Sequence, residues 1–423
     1  MSKIKYLDLF AGAGGLTEGF MQTGDYDEIA AVEWLKPQVD TLRKRMKEKW
    51  GYENADDSIL HFDIQRENEL YNGWSDKKFG DGKGLDHFVN CSNGIDIVIG
   101  GPPCQAYSVA GRVRDANGMQ DDYRNYLFEH YLSVVSRYQP KMFVFENVPG
   151  MLSAKPGGKS VTEMVTDGFN SIGYEILSDL KKAVVNAKDY GVPQSRKRII
   201  IVGIRKDFVP VEIDIQELLS NFYSKILPKY KSEREVTVQE AIGDLQCFDP
   251  VYDETSHKNR IAYFERPNSG KILSWQKPRY QNLRDIEIFH MLAKDIEEGT
   301  EKYTDSKILS RVYEEKVGSN SPIHRYHVLR PDKPSTTIIA HLYKDGNRFI
   351  HYDSSQSRTI TPREAARLQS FPDDFEFVGS QGAIYQMIGN AVPPKLSKMI
   401  AYAVQNLYES LHIVSDLEKS NVD

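Results

Sequence analysis

The feature that most constrains the fold of this chain is the alternation, through its first half, of short apolar runs with helical stretches. Tyr6-Leu7-Asp8-Leu9-Phe10, Ile29-Ala30-Ala31-Val32, Ile95-Asp96-Ile97-Val98-Ile99, Met142-Phe143-Val144-Phe145 and Arg198-Ile199-Ile200-Ile201-Val202 read as strands. They lack the strict polar–apolar alternation of strands with one wet face, as expected of strands covered on both faces. Residues 34–50 and 126–138 carry helical spacing between them. This βαβ rhythm predicts an α/β fold with a doubly wound, mostly parallel sheet.

The rhythm stops near Lys206. From there the chain is polar and irregular, with turn-rich stretches such as Arg266-Pro267-Asn268-Ser269-Gly270. One helix is clear within it, over 282–298, stopped by Gly299. A last helix is expected over 395–411, followed by a charged, fraying tail. The predicted division is a catalytic domain of 1–206 plus 383–423 and a smaller, irregular domain of 207–382.

At 423 residues the chain exceeds the usual single-domain range, and 40% hydrophobic with 27% charged residues is ordinary for a soluble globular protein. No stretch resembles a signal peptide or approaches the length of a bilayer span, so a cytoplasmic protein is expected. Cys91, Cys104 and Cys247 form neither a CxxC pair nor a cysteine–histidine ligand spacing, so no metal site and no disulfide framework is indicated. A net charge of −6 excludes a protein basic all over, but Arg196-Lys197-Arg198 supplies a local basic cluster.

Chemistry-bearing residues gather at the predicted strand ends. Gly100-Gly101-Pro102-Pro103-Cys104-Gln105 places a thiol where open α/β sheets bind ligands, outside the carboxyl ends of the strands. A lone cysteine is more often packing than chemistry, but a glycine-proline loop is not a core setting. Phe10-Ala11-Gly12-Ala13-Gly14-Gly15 follows the first strand. Thr17 stands where a dinucleotide fingerprint has its last glycine, which argues against a pyrophosphate site. Glu33-Trp34 offers a carboxylate for ribose hydroxyls and a ring to stack on a base, and Asp63-Ile64 follows at the third strand end. Glu146-Asn147-Val148 ends the fifth strand, and Gln194-Ser195-Arg196-Lys197-Arg198 precedes the last. A soft nucleophile, a proton donor and a cationic fork are the equipment for activating a pyrimidine by addition.

These blocks, with Arg358 onward to Pro372 and Gln386-Met387-Ile388-Gly389-Asn390-Ala391-Val392, resemble in content and order the motif set of DNA (cytosine-5) methyltransferases. The resemblance spans the chain. Asn125-Tyr126 depart from it, standing where many members have a glycine and a small residue before Leu127. It implies a Rossmann-like, S-adenosylmethionine-dependent methyltransferase fold, with 207–382 as target-recognition domain.

By the same resemblance Cys104 attacks C6 of cytosine, Glu146 engages N3 and the exocyclic amine, Arg198 holds O2, and Arg196 buttresses Glu146. The S-adenosylmethionine site would be formed by Phe10, Ala11, Gly12, Gly14, Gly15, Glu33, Trp34, Asp63, Ile64, Pro103, Leu127, Asn390 and Val392. The segment from Gln105 through Ser108 and Arg112 to Arg124 would close over a base extruded from double-stranded DNA, and these four residues and Gln194 would touch the DNA. A transfer-RNA cytosine methyltransferase uses the same machinery; the long recognition segment favours DNA. The resemblance further implies a monomeric modification enzyme, with a restriction endonuclease that acts independently as its partner.

Overall fold

The computed structural model describes residues 2–103, 127–155, 158, 160–252, 260–318, 326–344 and 346–422, with the backbone alone for 413–422. The chain divides into two compact units. The first comprises Met1–Tyr190, Lys197–Glu233 and Val392–Asp423; the second comprises Gly191–Arg196 and Arg234–Ala391.

The first unit is built on one eight-stranded sheet. Its strands in chain order are β1 Ile4–Leu9, β2 Tyr26–Glu33, β3 Ile59–His61, β4 Ile97–Gly100, β5 Met142–Asn147, β6 Tyr174–Ile176, β7 Val184–Asn186 and β8 Lys197–Arg205. The spatial order is β3-β2-β1-β4-β5-β8-β6, with β7 also on β8. The first five in that order run parallel, and β8 runs antiparallel to β5, β6 and β7. Ile97, Val98, Ile99 and Gly100 of β4 are all buried, which is why this strand reads as a continuous apolar run. Gly100 is obligatory there, because a Cβ would lie 2.4 Å from the Leu9 carbonyl oxygen on β1.

The parallel strands place their carboxyl ends on one edge, which carries Phe10, Glu33, Asp63 and Gly101. Behind that edge the helix Gly15–Met21 packs on the long helix Pro394–Val422. A Cβ on Gly19 would meet the Lys398 backbone nitrogen at 2.4 Å, and the Ser397 hydroxyl donates to Leu16 O at 2.7 Å. The C-terminal segment is thus built into the first unit. Its helix continues to Val422, past the stop expected near Leu411.

The expected domain limits shift at both ends. Residues 207–233 belong to the first unit because Tyr223 from this segment clips β8: its hydroxyl accepts from Val202 N at 2.9 Å and donates to Ile200 O at 2.8 Å. Residues 383–391 belong to the second unit. There Gly389 meets Ile339 and Ala340 so closely that a Cβ would lie 2.3 Å from the Ile339 carbonyl carbon.

The second unit is less irregular than its sequence suggests. Leu283–Glu297 is capped by Asn282, whose side chain accepts from Asp285 N at 2.8 Å. Ser306–Val317, unanticipated, is capped by Asp305 and stopped by Gly318 at φ 72°. Ile288, Phe289 and Leu292 of the first helix and Leu309 of the second share a core with Tyr326, Val328 and Ile350. Elsewhere in this unit the buried Arg358 forks onto Glu364, with both Nη–Oε distances 2.7 Å. Glu364 also completes a capping box with Thr361 at the start of Pro362–Leu368.

Candidate active site

The turn after β1 is the first part of the site. Phe10 takes φ 59°, followed by Gly12 at 57° and Gly14 at 84°. Left-handed backbone is uncommon for a bulky residue and costs of order 1–3 kcal/mol. Glycines at 12 and 14 relieve the rest of the turn. A Cβ on Gly12 would meet nothing within 4 Å, so the backbone there borders open space, whereas one on Gly14 would strike Leu42 at 2.5 Å. Ala11 is buried, and Gly15 opens the helix that follows.

The Glu33 carboxylate closes this turn from β2. Oε2 accepts from Gly12 N at 2.9 Å and Oε1 from Leu35 N at 2.7 Å. Burial pushes the Glu33 carboxyl above its ordinary pKa, and these backbone donors pull it back. The backbone donors of Gly12, Leu35 and Trp34 do not exhaust the lone pairs of the carboxylate. Beside it the Trp34 ring is 44% exposed. At the end of β3, Asp63 is half-buried and Ile64 buried. Carboxylate, exposed ring and an open glycine backbone at adjacent strand ends fit an adenosyl group. Pro103 is exposed, and Leu127 and Val392 are buried in the same unit. Asn390, on the helix Gln381–Asn390 of the second unit, is exposed.

The second part of the site lies at the ends of β4 and β5. Arg198 Nε on β8 is 2.8 Å from Glu146 Oε1 on β5, with both side chains 13% exposed. Gly101 adjoins them: a Cβ there would lie 2.7 Å from Glu146 Oε2. Glu146 is therefore held between a cation and a backbone with no side chain. Cys104, Gln105, Ser108, Arg112 and Arg124 lie outside the described residues.

Arg196 belongs to the second unit, where it is buried and donates to Ile338 O at 2.7 Å and Gly389 O at 3.0 Å. Arg198 is the arginine that pairs with Glu146 in the first unit. Gln194, expected at DNA, is corrected to an internal residue. It is wholly buried, donates to Leu368 O at 3.2 Å and to the Gln369 side chain, and accepts from Ile338 N at 2.9 Å. With its amide enclosed, it presents no surface to a nucleic acid.

Sequence reasoning missed a buried acid cluster behind the Phe10 turn. The Thr17 hydroxyl lies 2.7 Å from Asp8 Oδ2 and 2.7 Å from Glu28 Oε2, and Tyr6 also donates to Glu28 Oε2 at 3.1 Å. Asp8 Oδ1 and Glu28 Oε1 are buried with no hydrogen-bond partner among the described residues. A hydroxyl has one hydrogen, so its second close contact requires a proton on one carboxyl. Burial pushes both carboxyls up, Glu28 to about 7. The signal was Thr17 itself, a polar residue in place of the fingerprint glycine.

Among the described residues, no group of three or more histidine, cysteine or acidic side chains could hold a metal ion, and no helix is long and apolar enough to cross a membrane. A family model for C-5 cytosine-specific DNA methylases matches residues 4–406. The chain is 32% identical to the type II methyltransferase M.Bpa9945I of Bacillus paralicheniformis, over 96% of this chain and 99% of that relative. It is 30% identical to the type II methyltransferase M.DdeI of Desulfomicrobium norvegicum, over 97% and 90% respectively. The solved S. pombe Dnmt2 methyltransferase shares the fold, with a TM-score of 0.53 and 15% identity over 97% of this chain and 99% of that one. The family model spans nearly the whole chain and the relatives are covered almost end to end, so the chain belongs to the family of C-5 cytosine-specific DNA methylases.

Proposed function

We propose that the chain methylates C5 of one cytosine within a specific double-stranded DNA sequence, through a covalent bond between Cys104 Sγ and C6 of a base extruded from the duplex. The observation that carries this reading is the Arg198–Glu146 pair beside Gly101, three residues before Cys104 in the chain. A carboxyl and a guanidinium side by side match the N3, exocyclic amine and O2 edge of cytosine.

As the Cys104 thiolate adds to C6, Glu146 delivers a proton to N3, which leaves C5 enamine-like and nucleophilic. S-adenosylmethionine, when bound, would supply an electrophilic methyl group for that carbon and leave as the neutral thioether. Loss of the C5 proton to a base then expels Cys104 as the thiolate, and return of the N3 proton to Glu146 restores the neutral aromatic ring. Glu33 takes the ribose hydroxyls, Trp34 and Phe10 border the adenine, and Asp63 and Ile64 address its edge. Ala11, Gly12, Gly14 and Gly15 let the backbone approach the group. Pro103, Leu127, Asn390 and Val392 complete the site. Arg198 holds O2 while paired with Glu146, and Arg196 secures the backbone that precedes it.

The second unit reads the DNA sequence through major-groove donors and acceptors. Gln105, Ser108, Arg112 and Arg124 contact the DNA around the extruded base. The enzyme acts as a cytoplasmic monomer on the nucleoid, protecting sites from an independent cognate endonuclease.

Mapping 5-methylcytosine in the DNA of cells that express the chain tests this directly. The reading requires methylation of one cytosine in one short sequence, lost in Cys104→Ala; unmethylated DNA, or methylation that survives Cys104→Ala, overturns it.

A further inference from the structure

We propose that Lys78 is a positioning residue for the methyl donor: its ammonium holds the Trp34 indole in place to receive the adenine. The proposal rests on the reading of Glu33 and Trp34 as the adenosine site.

Trp34 follows directly on β2 and is 44% exposed, so burial does little to hold its ring. Neighbouring elements supply two contacts, one to its backbone and one to its ring. The His61 Nε2 at the end of β3 lies 3.0 Å from Trp34 O, which anchors the backbone. Lys78 Nζ stands over the indole, 5.3 Å from the ring centre, and over the Phe79 ring at 4.5 Å, so it bridges the two rings within the range of cation–π contacts. A cation on one face of the ring restrains it and leaves the opposite face for a planar ligand.

Lys78 is itself well placed for this. It sits on the turn between two short antiparallel strands, Trp74–Asp76 and Gly80–Gly82. Asp76 Oδ1 accepts from Lys78 N at 2.8 Å and Phe79 N at 2.7 Å, and its Oδ2 takes Arg66 Nη1 at 2.5 Å. The ribbon is seated by Trp74, stacked on the buried Phe62 at 3.9 Å and 26°. Phe62 immediately precedes Asp63, the residue proposed to address the adenine edge. One rigid ribbon therefore bears on both Trp34 and the strand end that carries Asp63.

The test is S-adenosylmethionine binding and steady-state methylation by the full chain in four forms: parent, Lys78→Met, Trp34→Ala and the double variant, with Lys78→Arg as the conservative control. Lys78→Met is expected to raise the cofactor KM and Kd about two- to fivefold, the worth of one exposed cation–π contact, with kcat at saturation kept. Lys78→Arg restores the parent values, and Lys78→Met has no further effect once Trp34 is alanine. Unchanged cofactor affinity in Lys78→Met, with a clear loss in Trp34→Ala, overturns the role of Lys78 and leaves the adenosine site standing. Unchanged affinity in Trp34→Ala overturns the site reading itself, and the proposal with it.

Discussion

Arg198 and Glu146 meet diagonally across two antiparallel strands, Nε to Oε1 at 2.8 Å, because Glu146 lies opposite Ile200 and Arg198 is two residues away on the same face. Strand pairing, not a loop, sets this contact. It keeps the carboxyl that we propose meets cytosine N3 in one place ahead of substrate. Glu146→Gln preserves the shape and removes the proton. It is expected to lower kcat by about 10²- to 10⁴-fold while DNA affinity stays near that of the parent, measured by single-turnover methyl transfer and a binding titration.

Gly101→Ala tests the same geometry from the other side. The added Cβ would lie 2.7 Å from Glu146 Oε2, so the carboxylate must move. A displacement approaching 1 Å is expected to cost about 10²-fold in kcat, with the thermal midpoint within a few degrees of the parent. An active Gly101→Ala enzyme would show that the position of Glu146 is not critical.

The Asp8–Thr17–Glu28 cluster predicts a pH dependence of stability. Burial raises the Glu28 carboxyl from an ordinary 4.5 to about 7, so the folded state holds its proton more tightly than the unfolded chain. Stability from this group is full below the unfolded value and is lost as pH rises through about 7. Denaturant midpoints should therefore fall between about pH 5 and 8, and Glu28→Gln should flatten that slope. Difference infrared spectra at neutral pH should show a buried protonated carboxyl that Glu28→Gln or Asp8→Asn alters.

In the second unit the sign reverses. Arg358 holds the Glu364 carboxyl down to about 2 against the cost of its burial, so its stabilisation is present above the ordinary 4.5 and is lost as pH falls toward 2. Arg358→Met strands a buried carboxylate and is expected to destabilise the unit by about 3–5 kcal/mol, read from chemical denaturation. Double replacement with apolar residues of matching volume should recover much of the loss.

The central strands were legible because β4, β5 and β8 are buried on both faces and leave unbroken apolar runs, while β1 is buried with its run interrupted by Asp8. The strand ends of the first unit were legible because they are marked by abrupt changes to glycine, proline and acid. The helix Ser306–Val317 was also within reach, with Asp305 and Gly318 as its boundaries, but its short apolar stripe was lost among charged neighbours. Gln194 was placed at DNA by the resemblance alone, and its burial is set by contacts distant in sequence. Its partners Ile338, Leu368 and Gln369 are more than 140 residues away in the chain. The unit limits were hidden for the same reason, since Tyr223 and Gly389 act through contacts that local pattern does not encode.

The central claim is the covalent role of Cys104, and trapping tests it most directly. DNA bearing 5-fluorocytosine at the methylated position cannot lose the C5 substituent as a proton, so elimination is blocked and the thiol adduct persists. With S-adenosylmethionine present, the parent enzyme is predicted to form a denaturation-resistant complex whose modified peptide carries the base on Cys104, and Cys104→Ala is predicted to form none. A complex that survives in Cys104→Ala, or linkage mapped to another residue, would contradict the account.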